Sequence, residues 1–465
     1  MQEFGLVGLG VMGKNLALNL INQGISLAVY NRNNPPNEIN IAKNFADTIA
    51  DCEGFDAADK FISAIKSPRK ILLMVNAGTA IDEVISNFLP YLEPGDILID
   101  GGNSHFLDTQ RRQNQLLTEG IHFLGAGISG GEEGARNGAS IMPGGNIDAY
   151  NIVASILEKI AATDFTGKAC CKYVGPEGAG HFVKMVHNGM EYAEMQIIAE
   201  TYFCMNKVMR LSLENISNTF NIWNDEGLKS YLLEISRNIL LKKEGNDYLI
   251  DKILDSAAQK GTGGWSSQTA LDLGIPLSTI SEAVTARIIS GMKIERKEAA
   301  GIYGINTEKV DNLVSFKELK SAYQCARIIN HHIGFAMLSE ASEQYKWNLN
   351  LSEIAQLWTN GCIIRSELME SLSKGLKSND KLLLLPEMVE ILKEGWKDVA
   401  HVVSIAHQFG IALPVFSASL DFFLAYTTAD SCANMIQAQR DYFGAHTYKR
   451  IDKDLSQSFH TNWFE

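Results

Sequence analysis

Phe4-Gly5-Leu6-Val7-Gly8-Leu9-Gly10-Val11-Met12-Gly13 sets an apolar strand against three glycines spaced as GxGxxG, and Asn15-Leu16-Ala17-Leu18-Asn19-Leu20 continues it as a helical run. Strand, glycine turn and helix in that order are the context in which this spacing binds a dinucleotide. Gly8 permits the tight turn, Gly10 lets backbone amides approach a pyrophosphate, and Gly13 lets helix and strand pack closely. Leu9, Val11 and Met12 complete the loop, and the unpaired N–H groups at the helix start favour the anion.

Further along the chain, short apolar segments recur at Leu27 to Tyr30, Ile71 to Val75, Ile97 to Asp100 and His122 to Leu124, with helical stretches between them. That alternation predicts a parallel sheet with crossover helices over residues 1–178. Punctuation thickens at Gly175-Pro176-Glu177-Gly178-Ala179-Gly180, after which helical periods dominate and strand signals fade. The expectation is an α/β Rossmann-type domain (1–178), a large all-α domain (179–433) and a short, less regular tail (434–465).

The second strand ends Val29-Tyr30-Asn31-Arg32-Asn33, where a site for NAD would show a carboxylate for the ribose hydroxyls. Arg32 instead offers a planar cation able to stack on adenine and bind a ribose phosphate, so NADP is the expected cofactor. Val75-Asn76-Ala77-Gly78 and Asp100-Gly101-Gly102-Asn103-Ser104 follow later strands and border the nicotinamide side of the same crevice.

Chemistry concentrates downstream. Ser129-Gly130-Gly131 offers successive amides and a hydroxyl as an anion nest suited to a carboxylate. In the stretch from Gly180 to Tyr192, read as a helix, Lys184, His187 or Asn188, Glu191 and Tyr192 share one face among Phe182, Val183, Met185, Val186 and Met190. An apolar setting disfavours a charged lysine, and a neutral lysine is a general base near neutral pH. Lys184 and Glu191 stand roughly 10 Å apart along a helix, so base and acid can address different atoms of one small substrate. Lys260 and Thr262 on a glycine-rich segment, Arg287 in a helical run, and Arg440 with His446 near the end supply the forks and hydroxyls that hold a phosphate.

The chain has 465 residues, 41 Lys and Arg against 54 Asp and Glu, and a formal charge of -13. Such a surface repels polyanions, which argues against nucleic acid as a partner and requires any anionic substrate to meet cations gathered locally. The seven scattered cysteines form no CxxC and no zinc pattern, and no carboxylate–histidine cluster marks a metal, so a metal-free site is expected. The amino end enters a strand pattern without a leader-like apolar segment, and no run has membrane-spanning length; a cytoplasmic location is the expectation.

Taken in order, GLGVMG, NRN, DGGNS, ISGGEEGAR, the Lys184–Tyr192 helix, QKGTGGW, QRDYFGAHTY and HTNW resemble the 6-phosphogluconate dehydrogenase family along nearly the whole chain. The resemblance implies oxidative decarboxylation of 6-phosphogluconate to ribulose 5-phosphate with reduction of NADP, in the oxidative branch of the pentose phosphate pathway. It implies Lys184 as base and Glu191 as acid, with Asn103, Ser129, Gly130, Gly131, His187, Asn188, Tyr192, Lys260 and Arg287 on the sugar acid. It implies a homodimer in which Arg440 and His446 of the tail complete the partner's site. The pattern departs at Asn76 and Gly264, where many relatives carry lysine, and in ending at Phe464-Glu465 without the glycine- and serine-rich extension of some relatives. These departures bear on the grip on NADP. Two other readings share part of the pattern: a different 3-hydroxyacid dehydrogenase, which would lack the set Lys260, Arg287 and Arg440, and a non-catalytic NADP-binding protein, against which Lys184 and Glu191 speak.

Overall fold

The computed structural model describes residues 1–258, 261–304 and 313–464, leaving aside the side chain of residue 262. Strands β1 (Phe4–Val7), β2 (Leu27–Tyr30), β3 (Cys52–Phe55), β4 (Lys70–Leu73), β5 (Ile97–Asp100), β6 (His122–Ser129) and β7 (Ser140–Gly145) lie in the order β3-β2-β1-β4-β5-β6-β7. The first six run parallel and β7 is antiparallel to β6. Helices α1 (Val11–Asn22), α2 (Ile41–Ala46), α3 (Ala58–Ser63), α4 (Thr79–Phe88) and α5 (Phe106–Leu117) connect the parallel strands; α6 (Gly131–Asn137) links β6 to β7, and α7 (Ile147–Ile160) follows.

Alternation along each strand divides its side chains between two apolar cores, one per face of the sheet. Leu27 and Val29 join Phe4, Leu16 and Leu157 on one face, while Ala28 and Tyr30 join Phe61, Phe88 and Phe123 on the other. Two strands escape the sequence reading. β3 is a half-buried edge whose Gly54 presses against the Ala42 carbonyl, and β7 carries Pro143, which an outer strand tolerates. β6 also runs on to Ser129, so the segment read as a turn is strand as far as its serine.

The remaining helices are α8 (Ala179–Phe203), α9 (Leu213–Asp225), α10 (Tyr231–Leu241), α11 (Thr262–Asp272), α12 (Ser278–Gly291), α13 (Lys293–Tyr303), α14 (Phe316–Gln344), α15 (Leu351–Leu357), α16 (Glu367–Gly375), α17 (Pro386–Gln408), α18 (Pro414–Thr427) and α19 (Ala433–Gly444). Their starts are chemically marked: Ser212, Ser230, Asn350 and Ser366 cap four of them, and Ser315 with Glu318 forms a reciprocal box at α14. Among the described residues no helix is long and apolar enough to cross a membrane.

Residues 1–419 form one compact unit and 420–465 a second. The tail is more regular than expected, because α19 occupies its start and the rest folds on one carboxylate. Asp441 is fully buried and accepts bonds from His460, the Trp463 indole, and the Thr447 and Thr461 amides. Burial pushes its pKa up, but these bonds outweigh burial and hold the group well below the usual carboxylate range.

What positions chemistry in the first unit is the docking of α8 on β6 and β7. Gly180 sits against the carbonyls of Gly125 and Met142 and the amide of Gly144, and Gly127 lies under the Cβ of Lys184. No side chain fits at either contact, so helix and sheet meet backbone to backbone. Gly127→Ala should therefore lower stability by about 1–3 kcal/mol, the scale of overpacking a tight interior. Urea titration measures this, and an unchanged midpoint would show that α8 can retreat without loss.

Candidate active site

The glycine turn opens on a cavity of about 430 Å³ lined by Gly8, Leu9, Gly10, Asn31, Arg32, Val75 and Asn76, among others. Gly8 takes φ +93°, and a side chain there would lie 2.5 Å from the Met74 carbonyl. Gly13 faces the Gly8 carbonyl so closely that a Cβ has no room, whereas nothing stands within 4 Å of where a Cβ would be on Gly10. Gly10 thus leaves open space at the start of α1, whose first turn has no side-chain cap. Asn31 Oδ1 accepts the Leu9 N–H at 3.1 Å and holds the loop in place. Arg32 is 63% exposed at the cavity mouth. These features fit a dinucleotide: room for a close backbone approach, uncapped amides at a helix start and a guanidinium at the mouth.

Val11, Met12 and Gly13 lie in α1, and with Ala77 they fall outside the cavity lining. Asn33 also falls outside it, because its side chain donates to Asp56 at 2.7 Å and accepts the Asn40 N–H at 2.9 Å. Asn103, itself exposed, lines a separate narrow cleft with Ser104, Lys184, Met185, Asn188 and Trp265. That cleft leads to the chemical end.

On α8, Lys184, His187 and Asn188 are buried, while the Glu191 side chain keeps 21% exposure. His187 links them: its Nδ1 lies 3.4 Å from Lys184 Nζ, 3.2 Å from Asn188 Oδ1 and 3.8 Å from a Glu191 oxygen. Its Nε2 lies 3.1 Å from the hydroxyl of buried Ser129 at the end of β6. Burial pulls Lys184 down to about 8, with Glu191 and Cys362 opposing that fall. Burial raises Glu191, opposed by Lys184 and Arg287, and burial with the neighbouring lysine drives His187 well below its ordinary value. The site therefore pairs a lysine that holds its proton less firmly than usual with a carboxyl that holds one more firmly than usual. Arg287 stacks on the Tyr192 ring at 3.4 Å on the same side of α8 as Glu191. Gly130 and Gly131 take φ +125° and +61° and turn the chain from β6 into α6 beside Ser129.

Two family models match: the "NAD binding domain of 6-phosphogluconate dehydrogenase" over residues 3–175 and the "6-phosphogluconate dehydrogenase, C-terminal domain" over 180–463. The decarboxylating 6-phosphogluconate dehydrogenase of Salmonella typhimurium is 46% identical over 470 residues, covering 100% of this chain and 99% of that one. The NADP(+)-dependent enzyme of Bacillus subtilis is 45% identical over 474 residues, with the same coverage. Plasmodium falciparum 6-phosphogluconate dehydrogenase, solved in its apo form, with NADP+ and with its substrate 6-phosphogluconate, superposes with a TM-score of 0.93 at 40% identity, covering 99% of this chain and 100% of that one. The chain belongs to the 6-phosphogluconate dehydrogenase family. Its fold is the dinucleotide-binding sheet followed by the helical domain that the sequence pattern predicts.

Within the first unit, Asn103, Ser129, Lys184, His187, Asn188, Glu191, Tyr192 and Arg287 gather around the buried half of α8. Lys260 lies outside the described residues. Arg440 and His446 belong to the second unit, both exposed, with Arg440 bonded to Gln437 at 3.2 Å and His446 edge-on to Phe443.

Two residues at the site carry no expected role. Trp265 of α11 closes the cleft and meets His105 edge-on at 5.2 Å; its sequence signal is the unusual GTGGW string. His181 places its ring nitrogens 2.6 Å from the Thr109 hydroxyl and 3.1 Å from the Asp100 carbonyl, and Asp100 in turn holds the Gly102 amide and the Ser104 hydroxyl. The signal there is position alone, one turn before Lys184.

The couplings set a sign for pH dependence. Glu191 is the leading influence that keeps Lys184 from falling further, so Glu191→Gln should move the titration of Lys184 below about 8. Acylation of Lys184 as a function of pH, followed by mass spectrometry, reads this midpoint, and an upward shift would refute the coupling.

Proposed function

We propose that this chain oxidises and decarboxylates 6-phosphogluconate to ribulose 5-phosphate and carbon dioxide while reducing NADP. The observation that carries the reading is one buried helix bearing a lysine pulled down to about 8 and a carboxyl pushed up, with His187 between them. The kinship reported above supplies the substrate class.

NADP, when bound, accepts the hydride from C3 of the substrate. Neutral Lys184 takes the proton of the C3 hydroxyl, which leaves a 3-keto acid. The C1–C2 bond then breaks, and its electron pair passes into an enol whose oxygen faces the now protonated Lys184. Glu191 delivers a proton to the carbon that lost the carboxylate, which becomes C1 of the product. Ser129, Gly130 and Gly131 hold the carboxylate, and Asn103, His187 and Asn188 orient the hydroxyl groups. Tyr192, Arg287 and Lys260 receive the phosphate. Gly8, Leu9, Gly10, Asn31 and Arg32 hold the dinucleotide, with Val75 and Asn76 beside them.

The working division is residues 1–178 for the cofactor, 179–433 for substrate and dimer contacts, and 434–465 as a tail whose Arg440 and His446 complete the site of the second subunit. A cytoplasmic setting suits seven free cysteines, five of them buried.

Lys184→Ala should cut NADPH production by roughly 100- to 10,000-fold, the usual worth of a general base, while leaving NADP binding intact. Stopped-flow absorbance and calorimetry separate the two, and near-normal turnover would end the base assignment. The shared site has its own test. Arg440→Ala and Lys184→Ala homodimers should both be nearly inactive, and mixing them under subunit exchange should restore activity through one intact hybrid site. No recovery despite exchange would mean that each subunit works alone.

A further inference from the structure

The mouth of the cofactor cavity carries an unusual charge arrangement. Among the described residues lining it, Arg32 is the one cation, and two carboxylates, Glu38 and Glu83, line it as well. Glu38 approaches Arg32 Nε at 3.5 Å and Glu83 approaches Nη1 at 3.7 Å, so the guanidinium faces a carboxylate on either side. Both come from built positions. The backbone of Glu38 is fixed by reciprocal bonds with Asn34 at 2.7 and 3.0 Å, and its Oε2 accepts no hydrogen bond among the described residues. Glu83 stands on α4 next to Asp82, yet the two turn opposite ways. Asp82 is bound by Arg111 at 3.0 Å and Arg112 at 2.9 Å, whereas Glu83 faces the cavity with Arg32 as its partner. Asn76, which also lines the cavity, adds no charge.

A ribose 2′-phosphate brings about two negative charges to this place. To reach Arg32 it must displace both carboxylates or lie beside them, and each course costs free energy that an unphosphorylated ribose does not meet. We propose that Glu38 and Glu83 set coenzyme choice in this chain, holding Arg32 against the 2′-phosphate so that discrimination for NADP is shallow and NAD also serves as hydride acceptor. The inference rests on the proposed function for the reaction and for Arg32, and deepens it by naming the residues that oppose the phosphate.

The test uses the full-length protein and two probes, 2′,5′-ADP and 5′-AMP, titrated by calorimetry, with turnover on NADP and NAD measured alongside. Glu83→Gln and Glu38→Gln should each tighten 2′,5′-ADP by roughly two- to fivefold, the scale of one exposed ion pair, and leave 5′-AMP unchanged. The ratio of kcat/KM for NADP over NAD should rise by the same factor, from a parent protein that reduces NAD measurably. Equal shifts for both nucleotides, or none, would overturn the proposal, as would a parent protein inert with NAD. Arg32→Ala separates the underlying reading: if it leaves 2′,5′-ADP binding unchanged, Arg32 is not the phosphate ligand. Absence of turnover with 6-phosphogluconate and either coenzyme would instead refute the reaction.

Discussion

The contact of α8 with the sheet governs the rest of the site. A helix normally stands off a sheet by the depth of its side chains, but here Gly180 meets Gly125 and Gly144, and the Lys184 stem rests on Gly127. The approach sinks the first turns of α8 below the surface, and burial is the largest cause of the depressed Lys184 pKa. Glycine on the strand thus sets the protonation of a lysine on the helix. The same approach brings His187 within 3.1 Å of Ser129, so the nest at the end of β6 and the helix register cannot vary independently.

Farther along α8, the helix is anchored by polar groups that leave no freedom to rotate. Glu194 accepts Arg327 of α14 at 2.8 Å with both side chains 3% exposed, and Asn330 donates to the Met190 carbonyl at 3.1 Å. Burial would lower Arg327, but Glu194 outweighs it and holds the guanidinium charged. Loss of one partner from such a pair costs about 3–5 kcal/mol, because the other is left as a bare buried charge. Glu200, near the far end, accepts the Val415 and Phe416 amides at 3.0 and 3.1 Å and so caps α18. Its burial pushes it up to about 7, against these bonds. One helix therefore presents the chemistry at one end and fixes the start of α18 at the other.

How much of this could be read in the chain follows from the range of each cause. The GxGxxG turn, Arg32 and the Lys184-to-Tyr192 face are local patterns, and local geometry is what sequence periodicity encodes. β3 and β7 were illegible because Cys52-Glu53-Gly54-Phe55 and Ser140-Ile141-Met142-Pro143 are strands only by virtue of their neighbours. The places of Trp265 and His181 are set in the same way, by a cleft assembled from segments about eighty residues apart. Asn33 looked like a ligand within NRN, but its amide is already committed to Asp56 and Asn40. The regular tail was hidden because Asp441 gathers Thr447, His460, Thr461 and Trp463 through bonds that no periodicity announces.

The formal charge of -13 demanded that cations be concentrated wherever an anion is to bind. Among the described residues the first unit meets that demand sparingly. Lys184 is inclined toward neutrality, Arg287 is spread over the Tyr192 ring and faces Glu191, and Arg32 is shared with two carboxylates. Each of these cations is already engaged. For the base proposed here the lowered pKa of Lys184 is a requirement, since a protonated amine cannot take a proton. In the proposed reaction the substrate carries both a carboxylate and a phosphate, and the successive amides at Ser129 to Gly131 can receive the first without placing a further cation beside Lys184, where it would lower that lysine's pKa still more.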